Sequence, residues 1–248
     1  MVSDPSPPRD VSAATDATMP GIEIRGLGFS IGSFAMEGLD LTVARDEYCV
    51  LTGPNGAGKT LLVRLICGLH FPAAGTISID GAAVQDAPPW ERGIGYVPQD
   101  GILFPNRDVR GNIAFGLEVR KVPTEERDTL VQEKAERMGI AHLLDRRPGG
   151  LSGGERQKVC IARALVFGPR VVLLDEPVSA IDESARDDVC RLLRAMRDER
   201  PVTVLHVSHN SRETELVADR VVNMRAGGIV DGHVCRQAGE RVAEGTAS

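Results

Sequence analysis

Apolar residues in this chain follow two rhythms. Ile22-Glu23-Ile24 and Leu39-Asp40-Leu41-Thr42-Val43 are apolar at every second position, the period of a strand with one buried face. Tyr48-Cys49-Val50-Leu51-Thr52 and Val171-Val172-Leu173-Leu174 are continuous apolar runs, as expected of strands buried on both faces in a parallel sheet. Further strands are predicted over 76–79, closed by the turn pair Asp80-Gly81, and over 94–97, 202–207 and 220–224. Helices are predicted over 61–67, stopped by Gly68, and over 184–197. Between about 100 and 150 helical patterns dominate, at 109–117, 124–139 and 141–144, with Thr124 after Pro123 as a helix start. The order predicts an α/β core interrupted by a helical insertion at about 100–155. Residues 1–20, rich in Ser, Pro, Ala, Asp and Thr, are predicted to be a disordered tail. Residues 21–235 form the predicted domain and 236–248 a short C-terminal tail.

Composition narrows the function classes. The net charge is −6 with no basic block, and aromatics make up 4% of the chain, so neither a phosphate-tracking face nor a base-stacking platform for nucleic acid is expected. The cysteines Cys49, Cys67, Cys160, Cys190 and Cys235 form no C-x-x-C pair, which suits reduced thiols in a cytosolic protein. No apolar stretch is long enough to span a bilayer and no signal pattern opens the chain, so a membrane role has to come through a partner.

Gly53-Pro54-Asn55-Gly56-Ala57-Gly58-Lys59-Thr60 fits the phosphate-binding pattern G-x-x-x-x-G-K-[ST] between a predicted strand and a predicted helix. Glycines let successive N–H groups turn inward on an anion, and the helix start adds its positive dipole end. Lys59 would reach the β- and γ-phosphates of a nucleotide, and the Thr60 hydroxyl would ligate Mg²⁺. The strand 171–174 ends in Asp175-Glu176, at the sheet edge where open α/β folds bind ligands. There Asp175 would hold Mg²⁺ through water and Glu176 would polarise the attacking water. Leu151-Ser152-Gly153-Gly154-Glu155-Arg156-Gln157 contains an S-x-x-E capping box with two glycines at the helix start, a second place for an anion. Two phosphate sites on one chain fit either two nucleotides or one site serving a partner's nucleotide, and spacing does not choose.

Together, LSGGERQ, GPNGAGKT, VVLLDEP, Gln99 and His209 resemble the motif set of ATP-binding cassette (ABC) ATPases, over essentially 22–232. The resemblance implies a P-loop NTPase with a parallel-sheet core, an N-terminal antiparallel β-subdomain and an inserted helical subdomain. It implies ATP hydrolysis with Mg²⁺, and a head-to-tail dimer with a second copy of the chain. Ser152, Gly153, Gly154 and Asp182, the last in the loop coupling the two sites, would then face the partner's ATP. Gln99 would sense Mg²⁺ and the attacking water, and His209 would contact the γ-phosphate. His206 is read as structural, and Asn210 stands where an acidic residue is frequent. At the position of an aromatic that stacks on adenine the chain has Ile31, with Phe29 and Phe34 nearby but offset, so weak discrimination between bases is expected.

Arg146-Arg147-Pro148-Gly149-Gly150 precedes the signature where export subunits often carry an acidic-glycine segment, which favours an importer. The segment 102–117 resembles the importer surface that docks a membrane permease. The stretches 45–51, 92–100 and 139–146 look most like molybdate/tungstate importer ATPases. The expected partners are permease subunits and, indirectly, a periplasmic or lipid-anchored solute-binding protein, with the chain on the cytoplasmic face of the membrane. Importers of sulfate, a sugar, an amino acid or a metal are the alternatives, and a soluble non-transport ABC ATPase is a further one. Single-cassette length and the lack of a heptad run disfavour the soluble reading. Some relatives of this type carry a C-terminal ligand-binding β-domain. The chain runs only a short way past Gly232, so none is expected here.

Overall fold

The computed structural model describes residues 19–179, 181–199 and 201–234. The expectations for the tails 1–18 and 235–248, and for Cys235, lie outside the described residues. The strands are β1 (Ile22–Ile31), β2 (Phe34–Val43), β3 (Tyr48–Thr52), β4 (Ala74–Ile79), β5 (Ala82–Ala83), β6 (Ile94–Val97), β7 (Val171–Asp175), β8 (Thr203–Val207), β9 (Arg220–Arg225) and β10 (Gly228–Val234). The helices are α1 (Lys59–Cys67), α2 (Val109–Val119), α3 (Thr124–Arg137), α4 (Gly153–Leu165), α5 (Glu183–Glu199) and α6 (Ser211–Val217).

Two sheets result. An antiparallel four-stranded sheet has the order β2-β1-β4-β5, and a six-stranded sheet has the order β10-β9-β3-β8-β7-β6. In the second, β9, β3, β8, β7 and β6 run parallel and only the edge strand β10 is antiparallel. β6 and β7 are neighbours in the sheet although α2, α3 and α4 separate them in sequence.

The continuous apolar runs have their expected cause. In β3, Tyr48 and Val50 point into a core shared with α2, α3, α4 and α5, while Cys49 and Leu51 point into a second core shared with α1 and the antiparallel sheet. Val172 and Leu174 of β7 join the first core, and Val171 and Leu173 the second. A strand sandwiched in this way must be apolar at every position.

Several elements differ from the sequence expectation. β1 extends to Ile31 rather than stopping near Ile24, with register shifts where Gly26 takes a positive φ of 58°. Residues 141–144 form only a 3₁₀ turn, Ala141–Leu143. α3 ends at Arg137 because Gly139 is left-handed at φ 68°. α6, β5 and β10 were not expected. α6 is a short helix whose start is fixed by Asn210, whose side chain accepts from the Glu213 N–H. Asparagine caps as well as the acidic residue frequent at this position, so the exchange is physically mild.

Candidate nucleotide site

The loop between β3 and α1 is shaped by glycines that no other residue could replace without movement. Gly53 has φ 143°, and a Cβ on it would lie 2.1 Å from the Met224 carbonyl oxygen. Gly58, the N-cap of α1, has φ 102°, and a Cβ there would lie 2.4 Å from the Phe34 ring. The chain therefore passes hard against β9 and then under Phe34 before the helix begins. Lys59 is buried, and its Nζ donates to the carbonyl oxygens of Gly53 at 2.7 Å and Pro54 at 3.0 Å. The ammonium is thus folded over the loop, held by acceptors that a phosphate oxygen would have to replace.

A cavity of about 880 Å³ opens above this loop. Gly53, Pro54, Asn55, Gly56, Gly58, Lys59 and Thr60 line it, and Gln99, Glu176 and His209 face them across it. Residues far apart in sequence therefore line one cavity. Ala57 lies in the loop but is buried beneath it, donating to Pro54 O and accepting from Gly227 N–H. Glu176 Oε2 accepts from Gln99 Nε2 at 3.2 Å and lies 3.3 Å from His209 Nδ1. Glu176 is also held at φ 48°, a left-handed conformation unfavourable for a side-chain-bearing residue. Its N–H donates to Val207 O, so β8 holds the turn in place.

Asp175 is buried at the end of β7 and accepts from the Thr60 hydroxyl at 3.0 Å. Burial pushes its carboxyl above the usual range, the Thr60 hydrogen bond opposes this, and neighbouring Glu176 adds to the rise. Such a carboxylate is short of positive charge, which a divalent cation beside Thr60 would supply. Among the described residues no three His, Cys, Asp or Glu side chains cluster as a metal cage.

Ser152, Gly153, Gly154 and Asp182 do not line this cavity. Ser152 and Glu155 form the expected capping box: the Ser152 side chain accepts from Glu155 N–H at 3.3 Å, and Glu155 Oε2 accepts from Ser152 N–H at 2.8 Å. Ser152 and Gly153 are exposed at the start of α4. Asp182 is exposed as well and caps α5 through Ala185 N–H.

Of the two aromatics near but offset from the expected adenine position, Phe34 lines the cavity and Phe29 does not. Ile31, at the expected aromatic position, is exposed and outside the cavity, and Phe29 packs on His70 with ring centroids 5.5 Å apart. Phe34 pairs directly with Ile31 across the two-residue turn Gly32-Ser33. Counting register through that turn brings an aromatic to the rim from the other arm of the hairpin. Cys49, Cys67, Cys160 and Cys190 are buried free thiols, and burial raises all four, Cys49 and Cys190 to about 12. They are core residues without a part in the cavity.

A parallel sheet, a glycine loop leading into a helix, and paired carboxylates at the adjacent strand end define a P-loop nucleotide-binding fold. The sequence profile of the ABC transporter family matches residues 36–179. A molybdate/tungstate import ATP-binding protein of Archaeoglobus fulgidus is 49% identical over 201 residues, 81% of this chain and 82% of that protein. One of the same description from Thermococcus kodakarensis is 42% identical over 84% of this chain, which spans 63% of that relative's length. An ATP-binding cassette solved as a dimer in a post-hydrolysis state with ADP and Pi superposes with a TM-score of 0.78, at 24% identity over 87% of this chain and 99% of that one. The chain belongs to the ABC transporter family.

Proposed function

We propose that this chain is the ATP-hydrolysing subunit of an importer and that its solute is molybdate or tungstate. The observation that carries the ATPase reading is the convergence of Gln99 and His209 on one oxygen of Glu176, opposite Lys59 across a single cavity. Lys59 and the loop N–H groups would bind the β- and γ-phosphates. Glu176 would take the proton of the attacking water as general base. Gln99 and His209 would orient that carboxylate and, from its far side, contact the water and the γ-phosphate. Thr60 and Asp175, with Gln99 nearby, would hold Mg²⁺, whose chemistry is to neutralise charge on the transferring phosphoryl group.

The exposed start of α4, with bare glycine N–H groups and away from its own cavity, supports use in trans. Ser152, Gly153, Gly154 and Asp182 would complete the nucleotide site of a second copy. No helix among the described residues is long and apolar enough to cross a membrane. A place at the cytoplasmic face therefore requires binding to permease subunits, with a solute-binding protein beyond them. The solute reading is supported by the identity to proteins described as molybdate/tungstate import ATP-binding proteins. Phosphate release from Mg·ATP, lost in Lys59→Ala, together with co-purification of a membrane permease, is expected. Robust hydrolysis by Lys59→Ala, or a chain that never associates with a membrane protein, would overturn this assignment.

A further inference from the structure

Behind the His209 loop lies a buried polar chain that the proposed reaction does not use directly. His206 of β8 and Glu213 of α6 are 0% and 5% exposed. Tyr48 Oη is 2.9 Å from His206 Nδ1, and His206 Nε2 is 2.8 Å from Glu213 Oε1. The second contact is at ion-pair distance but off the axis of a linear hydrogen bond, so two buried polar atoms face each other without a well-aligned bond. The other Glu213 oxygen accepts from Ser208 Oγ at 2.6 Å. Ser208 Oγ accepts in turn from Asn210 N–H at 3.0 Å, and Asn210 Oδ1 accepts from Glu213 N–H at 3.2 Å. These bonds close a ring through Ser208, Asn210 and Glu213, and His209 is the residue inside it.

Chemistry assigns the protons. An ionised carboxylate only accepts, so Nε2 of His206 carries the hydrogen that faces Glu213, while Nδ1 pairs with the Tyr48 hydroxyl. Burial pushes the Glu213 carboxyl up, but His206, Ser208 and the more distant Arg186 outweigh it and hold the group below its usual range. Buried ionic groups of this kind contribute little net stability compared with apolar packing; what they fix is geometry. A small cavity of about 50 Å³, lined by Glu176, Arg186, Ser208, His209 and Glu213 among others, links the two carboxylates.

We propose that Glu213, braced by His206, is a positioning residue for hydrolysis. Through Ser208 it fixes the backbone on both sides of His209 and so sets where that imidazole stands relative to Glu176 Oε2. This rests on the assignment of His209 and Glu176 to the reaction. A loosened loop leaves the phosphate cradle intact, so binding of ATP is preserved while the chemical step suffers.

The test is a double-mutant cycle on the full-length chain, read as steady-state phosphate release, with thermal melts to establish folding. Glu213→Gln lowers kcat about tenfold and leaves KM for ATP within about twofold, since small displacements cost rate more than binding. In a His209→Ala background the same change has almost no further effect, because the two residues act as one unit. Ser208→Ala, a smaller change that cuts the same ring, behaves likewise and decides the matter if Glu213→Gln does not fold. Unchanged kcat in a folded variant, or equal fold-losses with and without His209, overturns the positioning role. If His209→Ala itself keeps full kcat, the assignment of His209 has failed, and the positioning role falls with it.

Discussion

His209 Nδ1 lies 3.3 Å from Glu176 Oε2, the same oxygen that accepts from Gln99. Both contacts hold the carboxylate that is proposed to take the proton of the attacking water. Glu176→Gln keeps the shape of the side chain and removes its basicity. Hydrolysis is expected to fall by about 10²-fold or more while ATP binding persists. Phosphate release and equilibrium nucleotide binding, measured side by side, check both halves. Equal turnover for the two proteins would remove Glu176 from the general-base role.

Ser152 and Lys59 define two halves of one site only if they come from different copies. Ser152→Arg places bulk and charge at the start of α4 and is expected to abolish hydrolysis while leaving ATP binding to the single chain largely intact. Lys59→Ala abolishes hydrolysis from the other half by removing the charge that neutralises phosphate. Mixed together, the two dead variants form heterodimers in which one site has both halves intact. Up to about a quarter of wild-type activity should return, the share of intact sites in a random mixture of an isologous dimer. A mixture as inactive as its parents contradicts the head-to-tail arrangement.

Phe34 replaces Ile31 as the residue to test for base contact. Its ring lines the cavity directly above Gly58, so Phe34→Ala is expected to weaken ATP binding by the equivalent of about 1–3 kcal/mol. Stacking tolerates every base, so GTP should weaken by a similar factor and the wild-type preference for ATP should stay modest. Ile31→Ala should leave both dissociation constants unchanged. A preference for ATP of a hundredfold or more would require a hydrogen-bonding group that reads the base.

The Phe34 result shows where sequence was informative and where it was not. The buried strands β3 and β7 announced themselves because a strand between two cores has no polar face to obscure the signal. The glycine loop and the Ser152–Glu155 box are local, so their chemistry sits in consecutive letters. Phe34 depends on a hairpin register, and the His206–Glu213 contact depends on a helix, α6, of only 7 residues. Neither carries a periodic signal. The partner of His206, seven positions on and across a turn, is visible only when β8 and α6 are placed in space.

Arg92 is a stability prediction independent of the site. It is 4% exposed, and its guanidinium donates to the carbonyls of Leu65 and Ile66 at the end of α1 and to those of Gln85 and Ala87. The last turn of a helix leaves its carbonyls short of intrahelical partners; the Gly68 N–H reaches Leu65 O, and the Arg92 guanidinium serves both that oxygen and Ile66 O. Arg92→Ala removes the donor from the Ile66, Gln85 and Ala87 carbonyls and leaves Leu65 O with Gly68 alone, in a site too enclosed for easy hydration, and is expected to cost about 2–4 kcal/mol. Denaturant unfolding measures it. A loss under about 1 kcal/mol would mean that water or a rearranged turn takes the place of the guanidinium.

The solute prediction reaches furthest from the residues of this chain, because no cavity described here selects a tetrahedral oxyanion. Selection would lie in the permease and solute-binding partners, and this subunit would answer only through them. Energy would pass from ATP-driven closure of the dimer, through Gln99 and the surface from Phe104 to Phe115, into the permease. Phe104 and Phe115 pack together at 4.7 Å between ring centroids, and Arg163 in the last turn of α4 lies 5.1 Å over the Phe104 ring, so this surface is joined to the C-terminal end of the helix that Ser152 begins. Tight ATP binding alone drives nothing; ATP must bind the closed dimer better than the open one, and a loaded solute-binding protein must shift the same equilibrium. With the subunit, permease and binding protein reconstituted in liposomes, micromolar molybdate or tungstate should stimulate phosphate release, and sulfate should do so only at much higher concentration. Stimulation by sulfate at equal concentration would broaden the solute to oxyanions in general. Stimulation by a sugar or an amino acid alone would refute the oxyanion reading while leaving the ATPase and the importer in place.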